Sequence, residues 1–218
     1  MPNKNELVSR SFLCDVRAEQ KDGVARLSGR PIVFDKRTNL YWFDEVIEKG
    51  ALDETDLTDV RFLVNHNTDM IPLARSRRNN GNSTMQLLPD DEGMQMWADI
   101  DVENNADARA LNSAVERGDI SGMSFMFSID GERWENLESE HPTRFITKIG
   151  SVVEVSAVTW PAYADTSISA RSNEALDSAK LVLDKAREQR ADPVDTGING
   201  TNNTNTELAL LKEKLKLY

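Results

Sequence analysis

Between Leu111 and Ile129 the apolar residues change their period, and few arrangements of a chain accommodate that change. Leu111, Ala114 and Val115 recur at helical spacing, Asn104 or Asn105 stands ready to cap the start, and Gly118 suits a C-terminal stop. From Ser121 to Ile129 the alternation is that of a strand. Phe125 and Phe127 fall on one face, with Gly122, Ser124, Met126 and Ser128 on the other. A helix must therefore hand over to a largely apolar strand across one short turn, in Arg117-Gly118-Asp119-Ile120.

Around this junction the chain reads as strands. Met85 to Leu88 and Met94 to Ile100 alternate on either side of Pro89-Asp90-Asp91-Glu92-Gly93, a strong hairpin signal. Ser11 to Arg17 and Val24 to Arg30 read as a second hairpin about Gln20-Lys21-Asp22-Gly23, and Pro31 sets Ile32-Val33-Phe34 at a sheet edge or bend. Asp44 to Ala51 reads as an extended piece ending in a turn at Gly50, and Val60 to Val64 as a buried strand. The polar run from Gly131 to Pro142 reads as a loop. Arg144 to Ile149 and Val152 to Thr159 read as two further strands, ended by Pro161. Beyond residue 172 the character shifts: Leu176, Ala179, Leu183 and Ala186 share one helix face, and a linker by composition runs from Ala191 to Thr206. Thr204 and Glu207 then form a capping box ahead of Leu208, Leu211 and Leu215. The division expected is a folded domain over 1–171 and a helical and linker, disorder-prone tail over 172–218, lying outside it.

Charge narrows the partners. The 218 residues carry 26 Lys and Arg against 37 Asp and Glu, a net charge of -11, which argues against nucleic acid because phosphate neutralisation needs clustered cations. Arg75-Ser76-Arg77-Arg78 is the basic exception, and the Asn79-Asn80-Gly81-Asn82 after it points to a solvated turn. A single cysteine, Cys14, allows neither an internal disulfide nor a thiolate metal site. No apolar run approaches membrane-spanning length and no signal peptide is visible, so a soluble, cytoplasmic protein is expected.

With two histidines, far apart, and no His-Glu-x-x-His, metal-dependent hydrolysis has little support, and no phosphate loop is present. Serine chemistry has its ingredients. A serine hydroxyl needs a base within reach, a group that orients the base, and donors for the oxyanion. Ser124 has small neighbours on its face; spacing alone also fits an ordinary strand serine bonded to a backbone carbonyl. Ser121 competes, but lies nearer the turn and on the other face. His66 follows a strand between Asn65 and Asn67, and imidazole is the usual general base near neutral pH; a surface histidine fits the same position. His141, before Pro142 in an acidic loop, reads as exposed. Glu154 is the one acid in an apolar strand, where a charge must be paired or solvated. It either orients His66 or points to solvent.

Taken in order, Asn65-His66, then Arg117 to Phe125 with its Ser121-Gly122-Met123-Ser124-Phe125 core, then Glu154-Val155-Ser156 through Thr159 with Pro161-Ala162, resemble the HK97-type prohead (procapsid maturation) serine proteases of tailed phages. Phe43-Asp44-Glu45-Val46-Ile47 with Gly50-Ala51, and the Asp91-Glu92-Gly93 turn, support the likeness, which runs from about residue 10 to about residue 170. The resemblance implies a β-rich α+β fold: a mostly antiparallel, barrel-like sheet with flanking helices, similar to the herpesvirus assemblins, plus a helical C-terminal tail of scaffold character. It implies an endopeptidase with Ser124 as nucleophile, His66 as general base and Glu154 as the acid of the third motif. Assemblins use a second histidine as third member, so His141 stands as a rival to Glu154. No cofactor is implied. The implied substrates are scaffold segments, the arms of the major capsid protein and the protease itself. Portal or shell components and self-association in the procapsid are further expected contacts, with no nucleic acid and no membrane. The implied place is the assembling procapsid in the cytoplasm of the bacterial host. Met126 stands where the family often has Gly, and Leu73-Ala74-Arg75 where it often has Leu-Gly-Arg; Met126 bears on substrate preference. A scaffold-type assembly protein with weak or no catalysis is the alternative function, and a β-rich binding module a third.

Overall fold

The computed structural model describes residues 7–13, 16–21, 24–159 and 173–190. Its strands are β1 (Leu7–Leu13), β2 (Arg17–Lys21), β3 (Val24–Val33), β4 (Thr38–Asn39), β5 (Asp44–Ile47), β6 (Asp59–Val64), β7 (Ala74–Arg77), β8 (Met85–Asp90) and β9 (Gly93–Asp101). Helix α1 (Ala106–Glu116) follows, then β10 (Gly122–Glu135), β11 (Thr143–Val158) and helix α2 (Asn173–Arg190).

The strands form two sheets. One has four strands in the order β2-β3-β9-β8, all antiparallel. The other has seven: β1-β10-β11-β5-β4 in order, with β6 also on β11 and β7 on β6. Most pairings are antiparallel, but β11 pairs β5 near its start and β6 near its end, both in parallel. The barrel-like expectation is corrected here, because among the described residues neither sheet closes. The larger sheet ends on β1 and β4 and the smaller on β2 and β8, and the two enclose one core between them. Ala98, Ile100, Leu27 and Leu87 meet Phe62, Phe125, Phe127 and Val155 there, with Leu111 and Val115 of α1.

Local chemistry explains the pieces. In β9 the residues Met94, Met96, Ala98 and Ile100 are buried in strict alternation, as their pattern requires. The β8–β9 turn works only with glycine: Gly93 has φ +145°, and a Cβ there would lie 2.0 Å from the Ile32 carbonyl oxygen. Helix α1 starts on Asn105, whose side chain accepts from the N–H of Asp107 and of Ala108; it ends at Glu116, and the chain leaves it through Gly118 at φ +77°. Among the described residues no helix is long and apolar enough to cross a membrane.

Four sequence readings change. The polar stretch Gly131–Glu135 continues β10 instead of looping, because ion pairs and an indole donor hold it: Arg133 to Glu48 and Glu135, Arg144 and Trp134 Nε1 to Glu132. The two C-terminal strands are one, β11, with register shifts against β10 absorbing the irregular middle. Of the basic cluster, Arg75 to Arg77 lie in strand β7 and Arg78 in the exposed turn after it, and Arg75 holds Asp59 through two bonds of 2.6 Å. The first hairpin pairs β2 with β3, while Ser11 belongs to β1 in the other sheet. Helix α2 packs Ala179 and Leu183 against Leu40, Phe43 and Leu137. The linker and last helix read beyond residue 190 lie outside the described residues.

Candidate active site

Strand β10 presents its two faces to two environments. Met123, Phe125, Phe127 and Ile129 enter the shared core, with the rings of Phe125 and Phe127 stacked at 4.6 Å. Ser124 points the other way. In the β10–β11 register Ser124 lies opposite Ser156, and Met126 opposite Glu154, so that Ser124, Glu154 and Ser156 share one face.

The imidazole arrives from β6. This strand runs parallel to β11 until Val64 pairs Ala157, and the Asn65 N–H makes one more bond, to the Ala157 carbonyl at 2.9 Å. The chain then turns sharply. Asn65 has φ 52° and His66 φ 57°, two consecutive side chains in the left-handed region, where a non-glycine residue costs of order 1 kcal/mol or more. The turn is tied down on both sides. Asn65 Oδ1 accepts from the Thr159 N–H at 2.9 Å, and the His66 N–H donates to Ser156 Oγ at 3.0 Å. Strain held in this way throws the His66 ring back across the face that carries Ser124.

His66 Nε2 lies 2.6 Å from Ser124 Oγ, and His66 Nδ1 lies 2.6 Å from Glu154 Oε2. The other oxygen of Glu154 accepts from the Ser156 hydroxyl. A carboxylate only 3% exposed thus has a partner for each oxygen, as a buried charge requires. A bond from Nδ1–H to Glu154 fixes the tautomer that leaves Nε2 free to accept from Ser124. Ser124 itself is 0% exposed, and its Oγ has a further neighbour: the carbonyl oxygen of Arg10 on β1, 2.8 Å away.

A family description for caudovirus prohead serine protease matches residues 13–180. The chain belongs to that family. It thereby has a protease role in phage maturation and the serine peptidase character of the family. Comparisons with curated proteins and with solved structures returned no match.

The remaining sequence candidates are placed apart from Ser124, His66 and Glu154. Ser121 is exposed ahead of β10. His141 bonds Asp44 Oδ1 at 2.9 Å and lies 3.3 Å from Asn39 Nδ2, while both ring nitrogens of His66 are already taken by Ser124 and Glu154. Two contributors escaped the sequence. Ser156 bridges the Glu154 carboxylate and the His66 backbone; its signal was present, since it follows Glu154 by two in a strand and must share its face. Arg10 left no local signal, because its partners lie far along the chain.

Beside the triad-like set stands a buried ionic cluster. Arg10 grips Glu45 of β5 with Nε and with Nη2, the latter at 2.8 Å from Oε2, and Arg144 Nη1 reaches the same Oε2 at 3.2 Å. Arg144 is in turn paired with Glu132, its Nε at 2.9 Å. Burial pushes the Glu45 carboxyl up, but the charge and bonds of Arg10, followed by those of Arg144, outweigh it and hold the group below the ordinary glutamate value. Between the end of β6 and α1 a cavity of about 420 Å³ is lined by Val64, Asn65, Met70, Leu111, Ala114 and Ile120.

Proposed function

We propose that the chain is a serine endopeptidase that cleaves scaffold segments or capsid-protein arms, and itself, as a phage procapsid matures. In this reading Ser124 is the nucleophile, His66 the general base and Glu154 the acid that orients it. One observation carries the reading: the line of contacts from Ser124 Oγ through His66 to Glu154, both at 2.6 Å. His66 Nε2 takes the hydroxyl proton as Oγ attacks the scissile carbonyl, and the imidazolium that forms is stabilised across Nδ1 by Glu154. The proton passes to the departing amine, which breaks the peptide bond and leaves an acyl-serine. Water, deprotonated by the same imidazole, then releases the acid product. The chemistry would run in the assembling procapsid within the host cytoplasm, a reading supported by the family. The protease domain is assigned to 1–171, and 172–218 to a scaffold-like tail whose first helix, α2, docks on the domain.

A scaffold-type assembly protein with no hydrolytic activity is the second reading, favoured by the full burial of Ser124. Cleavage of co-expressed capsid protein separates the two. Ser124→Ala is expected to lower the rate at least about ten-thousand-fold, with Ser121→Ala retaining the parent rate. Cleavage that survives Ser124→Ala excludes Ser124 as nucleophile, and its absence from the parent chain favours the assembly protein.

A further inference from the structure

Strand β1 is an edge strand, and it pairs along its whole length with the strand that carries Ser124. Ser11 lies opposite Ser124, and the Arg10 carbonyl sits at the Ser124 hydroxyl. No substrate carbonyl can reach Ser124 while β1 is there. Once β1 leaves, β10 becomes an open edge whose alternate backbone N–H and C=O groups accept another extended segment. The family match begins at residue 13, so β1 lies almost wholly outside the part of the chain shared with the family.

An extended segment taking β1's place would set its own residue where Arg10 now stands, with its carbonyl at the nucleophile. The surroundings of that residue are charged. The cluster holds two cations, Arg10 and Arg144, and two anions, Glu45 and Glu132. Glu132 already answers Arg144, so Glu45, 3% exposed, is the counter-ion of Arg10. Withdrawal of β1 leaves the remaining three groups with one net negative charge in a buried site. An incoming arginine restores the pairing; a leucine leaves it unmet and a glutamate adds repulsion.

Resting on the assignment of Ser124 as nucleophile, we propose that β1 occupies the substrate's place on β10, and that Glu45 selects segments carrying arginine or lysine immediately before the scissile bond. Arginine is favoured over lysine because Glu45 receives two guanidinium donors at once. Docked β1 also restrains the enzyme. A carbonyl can only accept, so when the Ser124 hydroxyl donates to Arg10 its proton is not donated to His66. The hydroxyl then faces the carbonyl oxygen and not the carbon, which keeps the mimic from being turned over.

The test uses the full chain and extended peptides that differ only at the residue before the cut: Arg, Lys, Leu or Glu. Cut positions are mapped by mass spectrometry and kcat/KM is measured, with Ser124→Ala as the blank. The Arg peptide is expected to exceed the Leu peptide roughly 100-fold, with Lys between and Glu lowest. Glu45→Gln should collapse that ratio, mainly through KM for the Arg peptide. Arg10→Leu, which removes the anchor of β1 and leaves Glu45 to be paired by the peptide, should raise kcat/KM for the Arg peptide roughly tenfold or more, and it remains informative if Glu45→Gln fails to fold. Ser124-dependent hydrolysis without a basic preference, or an Arg10→Leu rate that does not rise, overturns the inference and leaves the nucleophile standing. Hydrolysis of none of the four peptides overturns it too. Hydrolysis that persists in Ser124→Ala overturns the nucleophile assignment beneath it.

Discussion

The two sheets share one core but fill their buried positions differently. In the four-stranded sheet the described buried side chains are apolar, Leu27, Ile32, Leu87, Met96 and Ile100 among them, and its charges pair at the surface, as Arg26 does with Asp99 at 2.6 and 2.7 Å. The seven-stranded sheet buries Glu45, Ser124, Arg144, Glu154 and Ser156, and its central pair β10–β11 shifts register repeatedly. Buried charge is a poor source of stability, since well-packed apolar groups of the same size often do as well or better. Its concentration in one sheet, on two adjoining networks, is therefore read as the mark of chemistry, while the other sheet supplies the platform.

Substitutions can break or sharpen that contrast. After Ser124→Ala, the largest effect is expected at Glu154→Gln. It removes the charge facing His66 and lowers kcat about 100-fold to 10,000-fold with a small change in melting temperature, as steady-state kinetics beside calorimetry would show. A kcat that stays within about twofold of the parent removes Glu154 from the mechanism. In the platform the pattern should invert. Leu87→Ala, at a side chain with no exposure, should cost about 2–5 kcal/mol in urea unfolding and leave kcat per folded molecule unchanged.

Acid should act on the charged sheet first. The folded Glu45 carboxyl sits below its ordinary value, so its contribution is complete above the unfolded glutamate range and drains away as pH falls through the folded value. Glu45→Gln should accordingly be less stable than the parent at neutral pH, with the gap narrowing toward about pH 3 in urea titrations. A gap that widens on acidification contradicts the pairing with Arg10 and Arg144. The smallest effect belongs to Arg26→Ala, which removes a half-exposed ion pair of the four-stranded sheet and should cost at most about 1 kcal/mol.

How far these contrasts could be foreseen differs between the sheets. The four-stranded sheet was nearly readable: the hairpin of β8 and β9 announces itself through alternation and a turn that only Gly93 permits. In the seven-stranded sheet the strands were found but their extents were not. Gly131–Glu135 looks like a loop because two of its polar side chains have distant partners, Glu132 in Arg144 of β11 and Arg133 in Glu48, and those partnerships are invisible in a local window. Ser124 could be set on the face opposite Phe125 and Phe127 from alternation alone, and His66 and Glu154 could be named with it through the ordered motifs of the family. That Glu154 faces His66 and not solvent could not.

Side-chain period thus settles what is local: which segments are strands, which side of β10 carries Ser124, where α1 begins and ends. It acts between neighbours and needs no partner. The meeting of residues separated by 58 and 88 positions along the chain is decided elsewhere. It depends on β6 lying parallel to β11, on the register that sets Ser124 against Ser156, and on two left-handed residues that swing one imidazole inward. Arg10 shows the limit most plainly. Nothing near it in sequence hints at Glu45 or Ser124, because pairing between distant strands is a property of the packed sheet and of no segment within it.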